Sequence, residues 1–527
     1  MNIDWVTKLA QKRWRHQFRS IHKGYKVLRV ENRLDFLVKI IDVLTKTPLN
    51  NVVLPKYLLL KNVTDVELSV RQYVSEKVIL RVSFNKAMLY SIGVKKPLRY
   101  PLPQEWQDAL FNQNVEVDRL SCTLLWHGYV LLIWGYSIVK TLKSLGYLLK
   151  KHKKLNRYIY FHNLKNNNLP LKVKSNTIIN WYFQWENRAK GIDTICHSIS
   201  DTSDTKYIKT DIEFTDGLPY LGSTQFLLYC VWFAGMSLYT LVIGLFNPYP
   251  AIMLNESIKL LRVSIATKDQ LADDYLFHQE LPYYRPLWTY EAEKKSSRIL
   301  FYFYSTNTEP LKISKSILIP PAFHLMSWPH YLVWDKYQAN FIRSVNSNNS
   351  IIEEVGLIWF SSSSKESLLI ERSAITVFDI TPKRKSNYIT LGTSNEFYTS
   401  KVANQFLNDI QEVLAQNNYN MFHKKKRDVK DRKFKSCSKY DYNIKILETK
   451  PNYHKLDADL DALSVIEKSL ATISMPFTST AIIARFFDKP SVYYDPTGMI
   501  EKDNISAHEI PVLVNIDELK SWVQSIV

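Results

Sequence analysis

The sequence is short of the residues that build stapled or metal-held domains. Its four cysteines, Cys122, Cys196, Cys230 and Cys437, stand apart with no C-x-x-C pair. That spacing argues against a disulfide framework or a cysteine zinc site and fits a reducing, cytoplasmic compartment. Glycine is scarce, at 13 residues, so long flexible linkers are not expected. No self-similarity with a period of roughly 20–50 residues is visible, which excludes a solenoid. There is no Walker A sequence, no G-x-G-x-x-G and no H-E-x-x-H, which removes the P-loop, the common dinucleotide fingerprint and the zinc protease. No Asp-x-Asp is expected at a strand end, so neither an obligatory metal nor any other cofactor is expected. The first 30 residues hold no long apolar stretch and are not a secretory signal.

What is present is a long, apolar, basic chain. Its 527 residues are 46% hydrophobic and 13% aromatic, enough for a large core spread over two or three domains. The 69 lysines and arginines outnumber the 50 acids, a net charge of +19. Such an excess favours anionic partners. The basic residues are dispersed and no nucleic-acid-binding motif occurs, so nucleic acid is not an expected partner. An anionic membrane surface is, because Arg19, Lys23, Lys26 and Arg29 continue a basic N-terminus.

Residues 217–255 carry no Asp, Glu, Lys or Arg, and a second uncharged run lies between Arg119 and Lys140. Residues 226–246 are long enough to cross a bilayer as a helix. Two readings compete: a buried core helix, or a helix lying on a membrane. A crossing would put the two halves of the chain on opposite sides of the membrane, which a single shared cleft forbids. The expected location is therefore peripheral, on the inner face of the cytoplasmic membrane.

Three regions are expected: a basic helical region over 1–150, an acceptor-side domain over 151–345, and a C-terminal α/β domain over 346–527. The last boundary rests on the polar run around 346–350. Beyond it, strands are predicted at 355–360, 374–380, 419–422, 444–447, 471–475, 491–494 and 511–514. Helices are predicted at 396–416, 457–469 and 479–487, with Asn515 and Glu518 capping a terminal one. Alternating strands and helices imply a parallel sheet. Ligands of such sheets sit outside the carboxyl ends of the strands.

Around 474–481 a buried strand ends, Pro476 forces a turn, and Thr478, Ser479 and Thr480 stand where a helix begins. Free N–H groups and the positive end of the helix dipole favour a phosphate there, although one such hydroxyl would also serve as an ordinary N-cap. His423 and Lys424, at another strand end, are expected to face the same crevice and neutralise phosphate or leaving group. Pro382 follows a third strand end and is expected near the base. Glu467 is a candidate for ribose hydroxyls, against a helix-surface charge as the plain alternative.

Pro476-Phe477-Thr478-Ser479, followed by Lys489-Pro490-Ser491-Val492-Tyr493-Tyr494-Asp495-Pro496-Thr497-Gly498, resembles the bacterial polysaccharide biosynthesis PFTS motif proteins. Gly356-Leu357-Ile358 and Arg285-Pro286-Leu287-Trp288 fit the same family. The layout also resembles sialyltransferases and Kdo transferases of GT-B architecture, which carry a His-Pro pair and a Ser/Thr pair on the phosphate. Here Lys424 replaces that proline. The resemblance implies two Rossmann-like domains facing a cleft and a glycosyltransferase of surface-glycan synthesis. The donor would be a nucleotide-sugar, with a CMP-ulosonic acid favoured over a UDP-sugar, and the acceptor a glycan or lipid-linked glycan. It implies a general base in an acidic-acidic-Gly motif, for which Thr215-Asp216-Gly217 is the nearest match. Asp216, at the edge of the uncharged stretch, is expected to be desolvated. A nonenzymatic membrane-associated scaffold is the alternative from another class.

Overall fold

The computed structural model describes residues 17–31, 33, 35–50, 63–148, 157–164, 178–185, 191–197, 205–207, 210–278, 283–305, 312–313, 316–317, 321–346, 349–358, 374–383, 388, 397–425, 437–458 and 460–526. The basic run 426–436 and the serines at 361–364 lie outside them. The first part is helical: α1 (Phe18–Val30), α2 (Phe36–Lys46), α3 (Val66–Lys77), α4 (Val82–Val94), α5 (Gln104–Asn112) and the long α6 (Arg119–Leu148). These helices do not form a body of their own. Their apolar faces merge with one face of the following sheet in a single core, and Gln72 Nε2 donates to Ser327 Oγ at 2.7 Å.

The first sheet holds β1 (Tyr158–Phe161), β2 (Thr194–His197), β3 (Thr205–Tyr207), β4 (Thr210–Phe214), β5 (Asp274–His278), β6 (Arg298–Tyr302), β9 (His330–Val333) and β10 (Ile351–Glu354). A separate short hairpin, β7 (Lys312–Ile313) with β8 (Ser316–Ile317), stands outside it. Its spatial order is β10-β9-β6-β5-β1-β2-β4-β3. All pairs are parallel except β3 with β4. The alternation of a strand divides its side chains between two cores. Tyr158 and Tyr160 join the helical side, while Ile159 and Phe161 join a core shared with the C-terminal domain. The helical side is completed by α8 (Ser223–Gly244), α9 (Pro248–Ile252), α10 (Leu254–Ile265), α11 (Trp288–Lys294) and α12 (Lys336–Val345). Helix α7 (Ile178–Gln184) covers the other face.

The second sheet holds β11 (Ala374–Phe378), β12 (Asn420–Lys424), β13 (Tyr453–Leu456), β14 (Ala471–Ser474), β15 (Ser491–Tyr494) and β16 (Val512–Leu513), in the order β13-β12-β11-β14-β15-β16. Every pair is parallel. Its helices are α13 (Ser400–Gln416), α14 (Ser438–Leu447), α15 (Ala462–Lys468), α16 (Ser479–Phe486) and α17 (Ile516–Gln524). Glu518 N donates to Asn515 Oδ1 at 2.9 Å, the expected cap of α17.

Three expectations need correction. The strand placed at 355–360 lies at Ile351–Glu354 and pairs with β9, so it closes the first sheet instead of opening the second. Residues 444–447 are helical, inside α14, because Tyr440, Ile444 and Leu447 form a helical stripe that buries against the sheet. The true strand β13 was missed, and Asp457-Ala-Asp459 follows it directly, so an Asp-x-Asp does stand at a strand end. Of these two acids Asp459 lies outside the described residues.

Candidate functional site

Both sheets are doubly wound. In the second, the order runs third-second-first-fourth-fifth-sixth in sequence terms, so the chain reverses direction between β11 and β14. In the first, the same reversal falls between β1 and β5. Adjacent loops diverge at such a point and leave a crevice at the carboxyl ends of the strands. The residues that occupy those two crevices define the candidate site.

At the second sheet's switch point, β14 ends at Ser474 and the Pro476–Thr478 turn leads into α16. Ser474 Oγ lies 2.9 Å from Thr480 Oγ1, and Thr480 Oγ1 lies 3.0 Å from Thr478 Oγ1. Tyr493 OH donates to the Thr478 carbonyl at 2.9 Å, fixing the turn from the neighbouring strand. Thr478 occupies the N-cap position but its hydroxyl makes no capping bond. The ordinary N-cap reading of Thr478 therefore fails, and its hydroxyl leaves the N-terminus of α16 without that cap. Ser479 and Thr480 are half-buried at the rim. Ser479 Oγ sits 3.1 Å from Ser305 Oγ, beyond the carboxyl end of β6. The carboxyl edges of the two sheets thus meet at the PFTS turn.

A clamp lies beside that contact. Asp335, just past β9, accepts from Arg485 Nη2 on α16 at 2.9 Å and pairs with His508 Nδ1 at 2.7 Å. It also caps α12 through Tyr337 N and Gln338 N. Burial alone would raise the Asp335 carboxyl. The His508 hydrogen bond and charge, the Gln338 N–H and Arg485 outweigh it and hold the group below its ordinary value.

His423 and Lys424 occupy the expected strand end but do not line the crevice. His423 is 0% exposed. Its Nδ1 lies 2.7 Å from Tyr453 OH, and its Nε2 lies 3.1 Å from Asp379 Oδ2, close enough to pair but not aligned as a hydrogen bond. Asp379 follows β11 at the switch point, takes a hydrogen bond from Tyr440 OH, and its Oδ1 has no hydrogen-bond partner among the described residues. Lys424 is buried, and its Nζ donates to the Ala458 carbonyl at 3.0 Å. The cations expected on the phosphate are instead internal supports of the edge. Strand alternation buries one of two successive side chains on each face, and helix packing closes over both.

Pro382 stands past β11 at the same switch point, buried, its carbonyl contacted by Cys437 Sγ at 3.8 Å. Glu467 is misplaced for a ribose contact. It sits in the last turn of α15, at the amino end of β14 and so at the edge opposite the PFTS turn. Asp216 is not desolvated: its side chain is 46% exposed and accepts from buried Arg262 Nη1 at 2.7 Å. Arg262 also holds the carbonyls of Leu218 and Pro219, so the pair fastens the 215–219 turn to α10. Gly217 has φ +76, and a Cβ there would stand 2.4 Å from the Tyr160 ring.

The first sheet's switch point is held by two histidines that sequence reasoning missed. His162 follows β1 and His278 ends β5. His278 Nε2 lies 3.4 Å from the Asn163 carbonyl, between the Tyr302 and Tyr304 rings. His162 packs against the Phe277 ring at 5.0 Å. Burial first, then His278 and Lys259, push its pKa down to about 3. Below it, Glu256 on α10 accepts from Lys259 Nζ at 2.6 Å and Tyr284 OH at 2.8 Å. Burial opposes that charge, but Lys259 and the Tyr284 hydrogen bond outweigh it and hold Glu256 below its ordinary value. The available signal is a histidine closing each of two apolar runs, Tyr158–Phe161 and Tyr275–Phe277.

Two doubly wound parallel sheets meeting at their carboxyl edges define a GT-B-like α/β protein. The chain belongs to the polysaccharide biosynthesis PFTS motif protein family, whose sequence model matches residues 228–523. No relative among curated proteins matches. Among solved structures, UDP-GlcNAc 2-epimerase from Methanocaldococcus jannaschii is similar at 10% identity, over 70% of this chain and 92% of that one, with a TM-score of 0.37. An α,α-trehalose-phosphate synthase (UDP-forming) from Burkholderia xenovorans is similar at 10% identity, over 70% and 92%, with a TM-score of 0.36. The Phytolacca americana UGT2 is similar at 8% identity, over 70% and 90%, with a TM-score of 0.33. Likeness of this degree carries no argument about activity.

Proposed function

We propose that the protein is a nucleotide-sugar-dependent glycosyltransferase of surface-polysaccharide synthesis, with the nucleotide phosphate seated on the PFTS turn. The observation that carries this reading is the placement of that turn. It lies at the switch point of a doubly wound sheet, ends in a helix N-terminus without a side-chain cap, and abuts the other sheet's carboxyl edge through Ser305. Uncapped N–H groups and the helix dipole suit a phosphate and stabilise charge on a departing one. Thr478, Ser479 and Thr480 add hydroxyl donors.

The facing switch point supplies the acceptor side. His162, kept neutral by burial, is able to accept a hydrogen bond from an acceptor hydroxyl and orient it. Asp216 is committed to Arg262. The resemblance to sialyltransferases and Kdo transferases favours a CMP-ulosonic donor, with His423 and Lys424 at its phosphate. Both are buried, so the proposal stands at the level of nucleotide-sugar, with CMP and UDP tested side by side.

Thermal shift with CMP, UDP and GDP is the direct test, since a ligand bound only by the folded state stabilises it by about 2.7 kcal/mol at 100 times Kd. Ser479→Ala and Thr480→Val are each expected to weaken the best nucleotide roughly tenfold, the loss of about one charge-assisted hydrogen bond. Full affinity in both variants would reject the phosphate seat. Absence of any nucleotide response would favour the scaffold reading.

A further inference from the structure

Helices of soluble proteins turn polar residues outward. Helices α6 and α8 do the reverse. From 124 to 139 in α6, and from 227 to 246 in α8 and the two residues after it, every exposed residue is apolar or glycine. Leu124, Leu131, Leu132, Val231, Leu238 and Phe246 are among them, Phe246 at 86% exposure. The polar residues are on the inside: Ser137 and Thr240 are fully buried, and Trp134 Nε1 donates to Thr240 Oγ1 at 3.1 Å, joining the two helices. Of the two readings of 226–246, the buried core helix is the one that this exposure does not fit. The segment is helical, but only 22% of its apolar window is buried. A groove of about 360 Å³, with Leu228, Trp232, Leu261 and Ile265 among its walls, continues this surface at the foot of α8.

We propose that this outer face is a one-sided seat on an anionic lipid bilayer. One face of each helix is covered with protein: Trp126, Val130 and Ile133 of α6, and Tyr229, Phe233 and Met236 of α8, belong to the core shared with α10 and the first sheet. A helix packed on one flank by a folded domain cannot be surrounded by lipid, so the pair lies in the membrane surface instead of crossing it. Charge selects the bilayer over a second copy of the chain. Neither helix contains an acidic residue, and the charged residues of α6, all exposed, are Lys140, Lys143 and Arg119, the last paired with Asp108 at 2.9 Å. Two copies would bring these cations together, whereas anionic headgroups neutralise them. An exposed apolar surface of this extent on a soluble domain marks an interaction site. The inference rests on the outer helices alone and stands apart from the glycosyl-transfer reading.

The test is flotation of the full-length protein with vesicles of phosphatidylcholine, with and without about one-third phosphatidylglycerol. The wild type is expected to float, and to float more on the anionic vesicles. Leu131→Glu with Leu238→Glu is expected to lower the floated fraction at least about tenfold, while its nucleotide response in the same preparation stays at the wild-type level. A photoreactive phospholipid on the unsubstituted protein, with its adducts mapped by mass spectrometry, needs no variant and is expected to label residues 119–148 and 223–246. Failure to float on both compositions would overturn the proposal. So would adducts confined to other segments, or a lipid-independent dimer that the double substitution dissolves. Loss of nucleotide response with flotation intact would count against the phosphate seat and leave the membrane seat standing.

Discussion

Single residues decide which side chains of a strand end reach a ligand. His423 and Lys424 are adjacent at the end of β12, and both are buried, one beside Asp379 and Tyr453, the other on the Ala458 carbonyl. His162 is the more useful histidine, because a neutral imidazole accepts a hydrogen bond and so orients a hydroxyl. Replacing it with alanine is expected to lower turnover roughly tenfold, the loss of about one orienting hydrogen bond, with nucleotide affinity retained, in a transfer assay run beside a titration. Asp216→Asn should behave in the opposite way. It leaves buried Arg262 short of its carboxylate, costing about 1–2 kcal/mol after allowance for the exposed aspartate, and it keeps turnover. If the asparagine variant is as stable as wild type yet inactive, Asp216 is the base after all.

At the scale of elements, close approach does work that apolar patterning does not announce. Helices α1 and α4 cross at Gly24 and Gly93. A Cβ on Gly93 would stand 2.0 Å from the Ser20 carbonyl oxygen, and one on Gly24 would stand 1.9 Å from that of Leu89. Both contacts are with backbone, which cannot rotate away, so the helices would have to separate. Gly93→Ala is expected to destabilise the protein by about 1–3 kcal/mol through overpacking, read as a lower denaturation midpoint with an unchanged denaturant slope. A variant as stable as wild type would mean that the crossing relaxes freely.

The whole molecule is held at its domain junction by the Asp335 clamp and by the apolar core shared across the two sheets. Acidification should loosen it in two stages, and the signs can be worked out. His162 has a folded pKa below its unfolded value of about 6.5. Between about pH 6.5 and its folded value of about 3, the unfolded chain therefore binds the extra proton and stability falls. Asp335 and Glu256 are also depressed. Their contribution is complete above the unfolded carboxyl values of about 4 and is lost as pH drops through the folded ones. Denaturation midpoints across a pH series check this. His162→Asn is expected to flatten the first stage and Asp335→Asn the second. Unaltered slopes in both variants would reject these assignments.

Much of the C-terminal half was legible because its periodicities are local. The turn at Pro476, the hydroxyl run opening α16, and β14, β15 and α17 all follow from spacing and capping within a few residues. The family resemblance rests on those same residues. What the sequence left open are facts about neighbours distant in the chain. Ile351–Glu354 became a strand because β9 offered it a free parallel edge, and residues 444–447 became helical because a sheet waited beneath them. The burial of His423, the commitment of Asp216 to Arg262, and the placement of His162 beside β5 each depend on contacts across 40 to 120 positions. The apolar run at 226–246 shows the division most plainly. Composition determined that it is a lipid-compatible helix, but only the packing of α6 and α8 on α10 decided which face is left outward.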